Sequence, residues 1–121
     1  MRDTSQRLRD IQEAIDHITK YTGQGREAFN QNELIQIWVV RHLEIIGEAV
    51  RTLPQDLKDQ HPAIPWAKIN RMRNILVHAY FGVDEDIVWE VVEKDLPRLK
   101  ASIDALLDMQ QTESIEQNEQ E

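Results

Sequence analysis

Arg73, His78 and Tyr80, in the stretch RNILVHAY, are the residues whose types and spacing could do chemistry in this chain. Arginine stays charged at physiological pH and can fork onto a phosphate with two of its five donors. An unperturbed histidine titrates near about pH 6.5, so it can take up or release a proton close to neutrality. Asn74, directly after the arginine, can orient the histidine or a substrate through its amide. Nine arginines and four histidines in 121 residues give about 0.3 accidental Arg-x4-His pairs, which is a weak signal. Requiring one of only two tyrosines two residues later lowers the expectation to roughly 0.005, so the triple is the specific feature.

The charge around the triple suits an anionic substrate. The chain carries a net charge of −8, which speaks against a general nucleic-acid coat protein. The distribution is uneven. Four glutamates and no base lie after Gln110, in QTESIEQNEQE, and without them the charge is −4. No acid occurs between Asp59 and Asp84, while Lys68, Arg71, Arg73, His61 and His78 all fall there. A locally basic face on an acidic protein fits an enzyme acting on a polyanion; chance clustering is the plain alternative.

The elements that must position these residues read as helices. Leu8, Ile11, Ile15 and Ile18 recur at three- and four-residue steps, predicting an amphipathic helix over about 3–21. Gly23 and Gly25 break it. Asn30 or Asn32 can cap a second helix to about Thr52, with Leu34, Ile37, Trp38, Leu43, Ile45 and Ile46 as its apolar face. QDLKDQ after Pro54 allows a short helical turn, and HPAIP reads as a linker. Pro65 suits the first position of a third helix running to about Phe81, with Gly82 as its stop. Asp84 caps a last helix, bent or restarted near Pro97. The expected fold is all-α, a bundle of four main helices plus a short helical turn, over residues 1–110. Residues 111–121 read as an acidic, disordered tail.

At about 100° per residue, Ile69, Met72, Leu76 and Ala79 share one arc of the third helix and should face the core. Asn70, Asn74 and His78 follow at four-residue steps along the other side, with Arg71 beside His78. Arg73 and Tyr80, seven apart, align on the border. A histidine on the polar face is exposed to substrate, or merely solvated. For Tyr80 the plain reading is packing at the core border with its hydroxyl outward.

Other features exclude function classes. There is no cysteine, hence no disulfide or thiolate metal site, and a cytoplasmic location is expected. No apolar run reaches membrane-spanning length, and MRDTSQRLRD does not read as a secretion signal. His17, His42 and His61 lack partners at metal-ligand spacing and read as surface histidines, so no metal is expected. Glu44 and Glu48 could mimic a catalytic carboxylate pair, but Arg41 and Arg51 beside them favour a solvated ion-pair face. Trp38, Trp66 and Trp89 read as core or interface residues rather than base-stacking platforms. Gly47, unfavourable in mid-helix by about 1 kcal/mol against alanine, suggests close approach of another helix. No glycine-rich phosphate loop occurs, so the chain is expected to hold no nucleotide cofactor of its own.

The motif R-N-I-L-V-H-A-Y resembles the signature of the HEPN superfamily, and specifically of HepT-like toxins, including the polar residue after the arginine. HLEIIGEAVRTLP, HPAIPWAKINRMRNILVHAYFGVD and IVWEVVEKDLPRLK are similar to the same family, so the resemblance covers roughly residues 5–108. It implies a metal-independent endoribonuclease with Arg73 and His78 as catalytic residues and no cofactor. It also implies a toxin whose antitoxin resembles a minimal nucleotidyltransferase and silences it by attaching AMP to Tyr80. RNA, rather than DNA or a membrane, would be the target, and a homodimer with a composite active site is expected. The competing reading is a non-catalytic helical module that docks a nucleotidyltransferase through RNILVHAY. A titratable group beside an arginine favours the enzyme.

Overall fold

A computed structural model describes residues 3–70 and 84–120, the last ten of these as backbone only. Among the described residues the chain is helical and contains no strand, in agreement with the all-α expectation. Helix α1 spans Thr4–Thr22. Its N-cap, Asp3, accepts a hydrogen bond from the Gln6 N–H at 2.7 Å, satisfying one of the donors that a helix start leaves open. The long α3, Glu33–Thr52, is capped in the same way by Asn32, which accepts from the N–H groups of Leu34 and Ile35 at 3.0 and 3.3 Å.

Helix α2, Arg26–Gln31, lies in a stretch where two glycines suggested only a break. Gly25 does turn the chain, at a φ of 101° that side chains disfavour. One helical turn then places Phe29 at zero exposure. Its ring meets Trp89 with centroids 5.4 Å apart. The short α4, Gln55–Gln60, occupies QDLKDQ as expected. The described part of α5 is residues 66–70. Asp84 caps α6, Glu85–Glu90, through the N–H groups of Asp86 and Ile87.

The expected bend near Pro97 takes a specific form. Val91–Asp95 is a π-helical turn leading into α7, Leu96–Gln120, and the Leu96 N–H donates to the Val91 carbonyl five residues back. Proline supplies no N–H, and in an α-helix its ring collides with the carbonyl four residues earlier, here Glu93. The widened turn falls at that carbonyl. Helical backbone continues through 111–120, the acidic segment that composition marks for disorder. Glutamate and glutamine are good helix formers, so a helix already nucleated can extend through them.

Helix α1 packs against both α3 and α7 and forms the centre of the bundle. Leu8, Ile11, Ile15 and Ile18 from α1 meet Val39, Leu43, Ile46 and Val50 from α3 and Leu96, Leu99 and Ile103 from α7, all buried. Each such side chain contributes about 1.5–3 kcal/mol relative to exposure. Gln12 ties α1 to α7 by donating to Asp104 at 2.7 Å, and Lys100 donates to the other carboxylate oxygen at 2.9 Å. Ser5 with Gln110, and Arg7 with Thr52, add two further bonds from α1 to its neighbours.

Two expectations for α3 are corrected. Leu34 and Ile37 do not belong to its buried face; they are 77% and 58% exposed. The segment ELIQIWVV is apolar on several sides, and the face that packs runs through Ile35, Val39, Leu43, Ile46 and Val50 instead. His42 is not a surface residue, because it shares that face and is buried. Its Nδ1 lies 2.7 Å from the Trp38 carbonyl. A carbonyl can only accept, so that nitrogen carries a proton.

Candidate active site

Two prolines and two isoleucines position the helix that leads into RNILVHAY. His61 closes α4, and its carbonyl accepts from the Ile64 N–H at 3.2 Å and from the Trp66 indole N–H at 3.0 Å. These two hydrogen bonds to one carbonyl fold the HPAIP linker back under Trp66. The Pro65 carbonyl accepts from the Ile69 N–H at 3.2 Å, so Pro65 is the cap and α5 begins at Trp66, one residue later than the sequence suggests. Ile64 and Ile69 are both buried, pinning the linker and the first turn to the core. Lys68 reaches Asp95 of the π-helical turn at 3.1 Å.

Ile69 therefore faces the core and Asn70 faces solvent, as the helical phase requires. The proposed catalytic residues Arg73 and His78, the supporting Asn74 and the modification site Tyr80 lie outside the described residues, as do Arg71, Met72, Leu76 and Ala79.

Beside the first turn of α5 the surface is concave. A groove of about 730 Å³ runs between the end of α3, α4 and α5, with Arg51, Lys58 and Lys68 as its cations. Arg51 is held by Glu48 at 2.6 Å; this hydrogen bond, with the carboxylate's charge, raises the guanidinium above its ordinary pKa. Arg41 and Glu44 approach to 3.6 Å. The two glutamates thus form an exposed ion-pair face rather than a catalytic carboxylate pair, as their spacing with the arginines suggested.

A second cluster lies between α1 and α3. Trp38 donates its indole N–H to the His17 carbonyl at 2.8 Å. The Trp38 ring stands 4.3 Å from His42 and 5.4 Å from Tyr21, and the His17 and His42 rings are 5.1 Å apart. The half-buried Trp38 and its ring neighbours serve as an inter-helix joint. Among the described residues no three histidine or carboxylate side chains converge as metal ligands would, and no helix is long and apolar enough to cross a membrane. The signal that would have found buried His42 is its register with Ile35, Val39 and Ile46, at seven-, three- and four-residue steps.

Comparison with known proteins gives one consistent answer. The family model described as "Ribonuclease HepT-like" matches residues 11–106, a span that includes the whole of RNILVHAY. The chain is 46% identical over 100 residues to "Probable ribonuclease HepT" of Thermococcus cleftensis, covering 82% of this chain and 91% of that protein. It is 39% identical over 107 residues to a "Putative RNase" of Methanocaldococcus jannaschii, covering 88% of each. A longer protein of the same organism, "Gamma-glutamylcyclotransferase and putative RNase", is 43% identical over 97 residues; the match takes in 79% of this chain and 44% of that one. No solved structure matches the chain. With most of its length matched by the family model and by relatives of its own size, this chain belongs to the ribonuclease HepT-like family of the HEPN superfamily.

Proposed function

We infer that this protein is a metal-independent endoribonuclease, the toxin of a toxin–antitoxin pair. The observation that carries this reading is the match over residues 11–106, within which the chain holds Arg73, Asn74, His78 and Tyr80 at the family's motif spacing. RNA supplies its own nucleophile. The 2′-hydroxyl attacks the adjacent phosphorus, the 2′-O–P bond forms, and the bond to the 5′-oxygen breaks, leaving a cyclic phosphate and a 5′-hydroxyl end.

Three groups are needed for this step. A neutral imidazole takes the 2′-proton, an imidazolium gives a proton to the leaving 5′-oxygen, and a cation stabilises the charge on the phosphoryl oxygens. Arg73 suits the last role. One chain offers one His78, so a twofold dimer supplies base and acid from two copies around one cleft. Asn74 orients His78 or the substrate. Attachment of AMP to Tyr80 by a nucleotidyltransferase antitoxin adds a phosphodiester whose charge competes for Arg73.

The test is cleavage of total RNA by unmodified protein in EDTA, beside His78→Ala. The expected result is cyclic phosphate ends from the parent and none from the variant. No cleavage by the parent, with intact mass confirming a bare Tyr80, would refute the ribonuclease reading in favour of a docking module for the nucleotidyltransferase. Full activity in a monomeric variant would refute the composite site alone.

A further inference from the structure

The groove beside the first turn of α5 has features that a catalytic segment alone does not need. Its lining brings Arg51 from α3, Lys58 from α4 and Lys68 from α5 to one concavity, across which Trp66 and Pro65 present apolar surface. Two of the cations are already paired, Arg51 with Glu48 and Lys68 with Asp95. Lys58, half-buried on α4, has no ion pair among the described residues. The acid of the lining, Asp59, is engaged by the Gln55 amide at 2.9 Å. Trp66 is half-buried, and its indole N–H is fixed on the His61 carbonyl. The ring is thus held rigid at the wall, and its polar edge is satisfied.

Position adds a second argument. Asn70 is among the residues that line the groove, and Arg73 follows three residues later in the chain. Consecutive Cα atoms are about 3.8 Å apart, so the two Cα positions lie within about 11 Å of each other whatever the backbone does between them. A single strand occupying the groove would reach Arg73 within a short length.

We propose that this groove is an RNA subsite that seats a nucleotide flanking the cleaved bond, its phosphate on Lys58 and its base against the face of Trp66. The inference rests on the ribonuclease reading above and extends it to substrate binding. Single-stranded RNA is the occupant because the groove combines a cation that is unpaired among the described residues with a fixed aromatic face, the pairing that holds a strand without reading its sequence. The exposed pairs at Arg51 and Lys68 do not oppose this, since surface ion pairs of their kind contribute about 0–1 kcal/mol and exchange readily for phosphate. Contrary to the expectation from sequence that Trp66 is only a core or interface residue, the proposal makes one of its faces a stacking surface.

The test uses the full chain carrying His78→Ala, so that RNA stays intact, with a fluorescently labelled single-stranded RNA of mixed sequence read by anisotropy across a salt series. Lys58→Glu is expected to weaken binding about fivefold or more and to flatten the slope of log K against log salt by about 0.7, the share of one phosphate. Trp66→Leu is expected to weaken it by a similar factor of about five or more, and Trp66→Phe, which keeps a ring and guards against a folding defect, to stay near the parent. Lys20→Glu, the same charge change on α1, should leave binding within about twofold.

Equal affinity and parallel salt slopes for Lys58→Glu and its parent would overturn the subsite. So would an equal loss in Lys20→Glu, because long-range charge would then suffice. Failure of the ribonuclease reading is distinguishable: the chain with His78 intact would neither bind nor cut RNA. A chain that cuts RNA while the groove variants bind normally would leave that reading standing and remove only the subsite.

Discussion

Replacing Ile69 with alanine tests whether the function of the RNILVHAY segment depends on an anchor in the core. Ile69 is buried, joins the central hydrophobic cluster, and is the last core residue described before RNILVHAY. The substitution removes three carbon atoms, and at about 0.8 kcal/mol per buried methylene the transfer loss alone comes to roughly 2.4 kcal/mol. A cavity contribution adds to this, and measured Ile→Ala changes span about 2–5 kcal/mol. Ile69 sits one turn from the start of its helix, where the chain can settle into part of the space, so we expect about 2–3 kcal/mol. For a domain whose total stability is about 5–15 kcal/mol, that is a large fraction. Urea denaturation followed by circular dichroism should show a lower midpoint with an unchanged slope. At a urea concentration where the variant stays folded, RNA cleavage should still fall, because the segment carrying Arg73 and His78 loses its anchor. A destabilisation below about 1 kcal/mol would refute the core assignment. Normal cleavage by the folded variant would refute the positioning argument.

Three further outcomes follow from the packing and charge of the fold. Ile37→Ala, at a residue 58% exposed, should change the stability of the isolated chain by less than about 0.5 kcal/mol. A loss several times larger in the same denaturation experiment would mean that another surface covers α3 in solution. Asn32→Ala removes the side chain that accepts from Leu34 and Ile35 and should cost about 1 kcal/mol, read as a lower melting temperature; Asn32→Asp should recover most of it. Hydrogen bonds, first from Lys100 and then from Gln12, hold the Asp104 carboxyl below its usual pKa. Its folded value lies below its unfolded one, so this contribution is present above the unfolded value near pH 3.9 and disappears as pH falls through the folded value. The pair is more than one-third exposed, so solvent screens it and the effect is small. Asp104→Asn should therefore lower stability slightly at pH 7, by an amount that shrinks as pH falls below the unfolded value, measured by urea midpoints across pH.

Sequence made the caps legible because capping is local. Asp84 and Asn32 each stand before an apolar run, and both take the role their side-chain oxygens suggest. Pro97 marked the place of the bend but not its kind, since a missing N–H can be met by a kink, a restart or a wide turn. The α3 face is ambiguous at Leu34 and Ile37, where apolar residues occur on more than one side and only tertiary contacts choose between them. His42 reads as a surface residue by type, whereas its helical phase puts it on the buried face. The α2 turn is not legible because six residues after two glycines carry little periodicity, although buried Phe29 shows why it forms. At the candidate site the order of legibility is reversed. The spacing of Arg73, His78 and Tyr80 is visible in sequence, whereas the groove beside Trp66 comes from three elements that no local pattern brings together.

The π-helical turn before Pro97 also sets a phase. An unbroken α-helix through Val91–Asp95 would use one residue fewer per turn-closing bond, so the extra residue there rotates α6 about the common axis by about 100° relative to α7. That rotation decides which way Trp89 points and hence whether it meets Phe29. It also decides the bearing of Asp84, where the chain that carries RNILVHAY rejoins the described bundle. Single-residue deletions between Val91 and Asp95 would therefore act as an indexing error, re-aiming the point where the chain after RNILVHAY re-enters the bundle while leaving the α7 core in place.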